Sequence, residues 1–180
     1  MSKVIPISKN QQSFEELIAD LTELCKQDLM SVNTIILDKL DSNVPLIQEV
    51  ARYLILSGGK RLRPLLTVSS YHMVANNLIN KDNSINHIGL AAAVEFIHAA
   101  TLLHDDVIDE SKQRRGKPTA NEKWKNKTSV LVGDFLFSRA FQLMTKYGNS
   151  NTLKILADTS VTISEGEVLE LANDKNLEIN

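Results

Sequence analysis

Seven consecutive residues, His104-Asp105-Asp106-Val107-Ile108-Asp109-Glu110, carry four carboxylates and an imidazole. On a helix, Asp105 and Asp109 stand one turn apart on one face. Two carboxylates so placed repel each other unless a cation lies between them. Hard oxygen ligands suit Mg²⁺, which takes one or two carboxylates together with the phosphate oxygens of a substrate. Acids at a helix C-terminus oppose the macrodipole at about 0.3–1 kcal/mol each, a local cost of the kind found at functional sites. The plain alternative is a solvated acidic helix end. Arg114 and Arg115 follow, then Gly116-Lys117-Pro118. Guanidinium forks match phosphate oxygens two bonds at a time. Beside the acids they fit a Mg²⁺–diphosphate site, or else simple salt bridges to the same acids.

A second cationic segment lies upstream, Ser57-Gly58-Gly59-Lys60-Arg61-Leu62-Arg63-Pro64. Its glycines let backbone approach a ligand closely, and a helix start adds free N–H groups that favour anions. It lacks the spacing of a P-loop or a dinucleotide fingerprint. The alternative is a glycine helix stop followed by an exposed basic turn. His98 precedes Asp105 by seven residues, which returns it to within about 20° of the same helical face. His98, Asp105 and Asp109 thus form a polar stripe with Thr101 alongside, and His98 is a candidate ligand. Glu95 orients His98 or caps another group.

These residues need long helices to hold them, and the composition supplies them. The chain has 180 residues, 43% hydrophobic and 23% charged, enough for one domain with a core. Only 7 glycines and 4 prolines occur, which favours long helices over many short strands. Ser13 with Glu16 forms a capping box, and Phe14, Leu17, Ile18, Leu21 and Leu24 follow at helical spacing. Ile35, Ile36, Leu37 and Leu40 mark a second apolar stretch. Asn43 and Pro45 open a helix that stops at Gly58-Gly59. Another follows Arg63-Pro64 and fades near Asn76-Asn77. A long helix runs from Asp82–Ser84 to about Glu110, and a polar loop from Ser111 to Thr119. Two further helices span roughly Thr128 to Tyr147 and Asn151 to Asn173, separated by Gly148-Asn149. No sustained period-2 alternation occurs, so the fold class is all-α.

The same arithmetic narrows the function. A net charge of −2 excludes a strongly basic nucleic-acid binder. The single cysteine, Cys25, cannot form an internal disulfide, and no metal-type Cys/His spacing occurs. The N-terminus carries no apolar region of signal-peptide length. The stretch from Ile88 to Leu103 is short for a membrane span and is broken by Glu95 and His98. The expectation is a cytoplasmic protein that does not cross a membrane.

GGKRLRP, EFIHAATLLHDDVIDE, RRGKPTAN and VGDFLFSRAF together resemble the trans-isoprenyl diphosphate synthases, the polyprenyl synthetase family, in order and spacing. The likeness is strongest to bacterial long-chain enzymes such as octaprenyl diphosphate synthases, and runs from about residue 14 onward. It implies an isoprenoid synthase-type helical bundle. It implies that Lys60 and Arg63, helped by His98 and Arg115, hold isopentenyl diphosphate. Asp105 and Asp109 match the first aspartate-rich motif, which holds Mg²⁺ on an allylic diphosphate such as farnesyl diphosphate. Arg114 matches the arginine that grips this diphosphate. The implied chemistry is loss of the allylic diphosphate, attack by the isopentenyl double bond, and proton loss. Product length is implied to depend on Ala100 and Thr101, which are small and leave an apolar tunnel open. Ala91, Ala92 and Ala93 lie deeper along the same helix, which favours a long product unless large residues on neighbouring helices close the floor. The implied product is a long, octaprenyl-like diphosphate for quinone side chains.

The family's second aspartate-rich motif is missing: no other DDxxD follows Asp109. Glu165 and Glu167 lie in a segment that matches the family's first half. Residues 1–180 therefore read as a single partial polyprenyl synthetase domain, truncated after roughly its first half. Two expectations follow: a prenyltransferase that works as a homodimer or with a complementary half, or an inactive truncated fragment or non-catalytic subunit that pairs with another chain. A terpene cyclase shares the aspartate motif but has no need of the GGKRLR segment.

Overall fold

Ser13 starts the first helix as its capping box dictates. Its Oγ accepts from the Glu16 N–H at 3.2 Å, and Glu16 Oε2 accepts from the Ser13 N–H at 2.8 Å. The structure, a computed structural model, describes residues 13–75 and 85–173. In chain order these form α1 (Phe14–Leu24), α2 (Lys26–Lys39), α3 (Pro45–Leu56), α4 (Leu62–Ala75) and α5 (Asn86–Ile108). A hairpin of β1 (Gln113–Arg114) and β2 (Lys117–Pro118) follows, then α6 (Ala120–Trp124), α7 (Asn126–Tyr147) and α8 (Ser150–Asn173). The all-α expectation holds, with a minimal hairpin inside the polar loop. That hairpin and the five-residue α6 are the elements the sequence pattern missed. The expected start of α5 at Asp82–Ser84 lies outside the described residues.

Pro45 occupies the first turn of α3, where its missing N–H costs nothing. The cap residue is Val44 rather than Asn43, and Ser42 Oγ accepts from the Val44 N–H. The helix after the Gly58-Gly59 break begins at Leu62, so Arg63 and Pro64 lie in its first turn.

α5 is the axis of the bundle and packs most extensively on α7, with α4 and α2 on its other sides. Ala91, Ala92, Ala93, Ala99 and Ala100 are buried, so neighbouring backbones come close. Phe96 and Leu103 of α5 meet a core that includes Leu136 and Leu143 of α7, Ile36 of α2 and Leu65 of α4, all nearly inaccessible. Each such side chain contributes about 1.5–3 kcal/mol by leaving water. Two glycines set the α5–α7 contact. A Cβ at Gly89 would lie 2.1 Å from the Tyr147 ring, and one at Gly133 would lie 2.2 Å from the His104 imidazole.

By length and mean hydropathy alone, 1.2 over its most apolar window, α5 is long and apolar enough to cross a membrane. Half of that window is buried inside the protein. With Glu95 and Asp106 also buried, α5 has the character of a core helix. The two terminal helices differ. α1 and α8 bury no residue fully. On α8, Val161, Val168, Leu169 and Leu171 are all more than half exposed.

Candidate active site

The α3–α4 turn builds a cationic pocket against the middle of α5. A cavity of about 240 Å³ is lined by Gly58, Gly59, Lys60, Arg61 and Arg63 from the turn, by Glu95 and His98 from α5, and by Arg115 from the hairpin. Four of the five residues predicted to bind substrate therefore meet there. Gly58 and Gly59 have φ of 92° and 150°, values that L side chains rarely adopt. At Gly59 the freedom is used for close approach: a Cβ would stand 2.8 Å from Arg115 Nη1. Arg61 and Arg115 both have left-handed backbone, φ 49° and 54°, which costs a non-glycine residue roughly 1–2 kcal/mol. Such strain concentrates at functional sites.

Glu95 is resolved by the structure. Its Oε1 accepts from Arg61 Nη1, and Arg61 Nη2 donates to the Ile55 carbonyl at 3.1 Å. Arg61 is thereby engaged in holding the turn, and Lys60, Arg63 and Arg115 are the pocket cations without an ion pair among the described residues. His98 sits among the arginines. Burial first, then the charges of Arg63, Arg115, Arg114 and Arg61, push its pKa down to about 4. The imidazole is neutral at pH 7 and offers a hydrogen bond without adding charge. Its donor nitrogens do not gather with the oxygens of Asp105 and Asp109 within 4.8 Å, so His98 belongs to the cationic pocket rather than to a ligand triad.

Asp105, Asp106 and Asp109 have three different environments at the end of α5. Asp106 is 1% exposed and accepts from Arg114, with Nε at 3.1 and 3.2 Å from its two oxygens and Nη2 at 2.8 Å. Asn121 Nδ2 ties the Asp106 carbonyl to that of Ser111. Sequence reasoning assigned Asp106 no role, yet it anchors Arg114 and through it the hairpin. The hairpin turns at Arg115 and Gly116, both at positive φ, with Arg114 paired to Lys117. The Asp105 carboxyl is raised above its ordinary value, by burial first, then by the charges of Glu167 and Asp109. Glu167 projects from α8, and no local spacing signalled it. Arg114 offsets part of this charge. Asp105 thus carries more negative than positive charge around it, and hard carboxylate oxygens are the ligand type that suits a divalent cation such as Mg²⁺.

Beyond Asp105 opens an apolar cavity of about 660 Å³, walled by α5, α7 and α8. It shares Arg63, His98 and Leu102 with the cationic pocket, so the two cavities adjoin. Thr101 lines it, as expected, with Val94, Ile97 and Phe137 further along its walls. Ala100 does not line it but is fully buried in helix packing, as are Ala91, Ala92 and Ala93.

A cationic pocket, a carboxylate-rich helix end and an adjoining apolar cavity on an all-α scaffold define an isoprenoid synthase-type fold. The chain belongs to the polyprenyl synthetase family, whose profile matches residues 44–180. It is 47% identical over 153 residues to the octaprenyl diphosphate synthase of Escherichia coli (strain K12), covering 85% of this chain and 46% of that relative. The crystal structure of a decaprenyl diphosphate synthase from Rhodobacter capsulatus superposes with a TM-score of 0.84 at 50% identity, covering 91% of this chain and 49% of that one. A polyprenyl synthase from Caulobacter crescentus CB15, complexed with calcium and isoprenyl diphosphate, gives a TM-score of 0.84 at 46% identity, covering 91% and 48%. The chain spans about half the length of the relatives it matches.

Proposed function

We propose that the chain carries the isopentenyl diphosphate site and the first metal site of a Mg²⁺-dependent long-chain prenyltransferase, octaprenyl-like in product. The observation that carries this is the adjacency of the two cavities through Arg63, His98 and Leu102, with Asp105 on the apolar side. Lys60, Arg63 and Arg115 hold the diphosphate of isopentenyl diphosphate, and neutral His98 donates a hydrogen bond to it. Arg114, fixed by Asp106, turns its remaining N–H donors toward an allylic diphosphate such as farnesyl diphosphate. Asp105 and Asp109 hold Mg²⁺, which when bound stabilises charge developing on a leaving diphosphate. The allylic C–O bond breaks, and its electron pair leaves with the diphosphate. The isopentenyl double bond attacks the allylic carbon and a proton is lost, which lengthens the chain by five carbons. Val94, Ile97, Thr101 and Phe137 take the growing chain and keep water from the cation. The product suits quinone side chains, and the reading places the protein in the cytoplasm.

A second reading rests on α8. Its exposed apolar residues favour pairing with a complementary half or a second copy, and the 180 residues alone are then inactive. One assay separates the readings. The purified chain, Mg²⁺, farnesyl diphosphate and labelled isopentenyl diphosphate are combined with and without a C-terminal half taken from a relative. Elongated product that is lost on Asp105→Ala supports prenyl transfer. No product under either condition, from a folded chain, overturns it in favour of the non-catalytic reading.

A further inference from the structure

At the opposite end of α5, Asp28, His72 and His87 converge from three helices. We propose that they form a second metal site, for Zn²⁺ or a similar borderline transition-metal ion, independent of the aspartate-rich motif. Asp28 Oδ2 lies 2.6 Å from His72 Nε2 and 3.2 Å from His87 Nε2. Donor atoms of all three residues fall within 4.8 Å of one another. Two imidazoles and one carboxylate form a donor set that selects Zn²⁺ over Mg²⁺. Ligands bound tetrahedrally at about 2.0 Å stand about 3.3 Å apart. The His87 contact already has that spacing, and the His72 contact needs to open by about 0.7 Å, well within one side-chain adjustment.

The rings are held before any ion arrives. Tyr71 stacks on His87 with centroids 3.8 Å apart and planes 3° from parallel. His72 meets both rings edge-on, at 5.4 Å from Tyr71 and 5.8 Å from His87. His87 is largely enclosed, with 11% of its side chain exposed, and His72 is open at 45%. The exposed His72 side gives an ion its entry path. The alternative state, two imidazoles hydrogen-bonded to one carboxylate, leaves His87 Nδ1 buried without a partner among the described residues. A bound ion leaves that same nitrogen unpartnered, so this group does not favour either state. What favours an ion is that one ligand atom from each of the three side chains lies within 4.8 Å of the others, a spread that a single ion can bridge. The site joins α2, α4 and α5 about 27 Å along the helix from Asp105, at 1.5 Å per residue, so its function is to clamp the bundle.

The test is Zn²⁺ uptake by the 180-residue chain, measured by elemental analysis after desalting, with ring resonances followed by NMR. The chain has four histidines. The expected result is one Zn²⁺ per chain, with His72 and His87 resonances shifted and those of His98 and His104 unmoved. His72→Gln and His87→Gln each weaken uptake at least tenfold, while an Asp105→Asn, Asp109→Asn double variant retains it. A tetrahedral visible spectrum of the Co²⁺ adduct of the unaltered chain supports the same conclusion without relying on any variant. The proposal is overturned by no uptake, by shifts confined to His98 or His104, or by uptake lost only in the aspartate double variant.

Discussion

Asp106→Asn separates structure from metal binding within one motif. The carboxylate is buried and receives two guanidinium N–H donors, Nε and Nη2, over three contacts of 2.8–3.2 Å. Hydrogen bonds to charged groups contribute about 1.5–3 kcal/mol each. Arg114 keeps 31% of its side chain in water and recovers part of the loss by rehydration. The net cost is therefore about 2–4 kcal/mol rather than the full sum. With an m-value of about 2 kcal/mol per molar urea, the unfolding midpoint falls by about 1–2 M at unchanged m. Asp109→Asn, at an exposed position, stays within about 0.5 kcal/mol of the parent. Urea unfolding followed by circular dichroism measures both. The reasoning fails if Asp106→Asn unfolds with the parent, or if Asp109→Asn costs as much.

Three other predictions concern the same scaffold. The pKa of His98 is lowered from 6.5 to about 4, so its neutral form supports the fold above pH 6.5 and that support is lost as pH falls from there toward 4. The unfolding midpoint of the parent falls over that range more than that of His98→Gln, and equal slopes would contradict this. Gly59→Ala displaces the guanidinium of Arg115, since the new Cβ would stand 2.8 Å from Nη1, and places a side chain at φ 150°. Isopentenyl diphosphate then binds about 10- to 150-fold more weakly, the value of one charged hydrogen bond of about 1.5–3 kcal/mol, as calorimetry can read. Gly89→Ala drives a methyl into the Tyr147 ring and lowers stability by about 1–3 kcal/mol, with a thermal melt as the check.

Local chemistry was legible and distant chemistry was not. The Ser13 capping box and Pro45 act within four residues, so they read directly from the sequence. Spacing paired Asp105 with Asp109 and left Asp106 without a role; its burial against Arg114 supplied one. Glu95 had two open roles until the fold brought Arg61 beside it, 34 residues away in sequence. The polar loop hid a hairpin whose Arg115-Gly116 pair takes the positive φ values of a tight turn. A strand of two residues cannot show alternation, so that glycine was the available signal. Ala100 and Thr101 are adjacent and both small, yet the helix turns one into the core and the other into the cavity. Asp28, His72 and His87 have no motif spacing at all, because three helices bring them together.

The central claim is that one diphosphate is held by cations of the chain alone and the other through a metal at Asp105 and Asp109. Calorimetry with isopentenyl diphosphate and with a non-ionisable thio analogue of farnesyl diphosphate, each with and without Mg²⁺, tests it directly. The account predicts metal-independent binding of isopentenyl diphosphate that is lost in Arg63→Ala, and Mg²⁺-dependent binding of the analogue that is lost in Asp105→Ala. Isopentenyl diphosphate binding that requires Mg²⁺ and survives Arg63→Ala would contradict it.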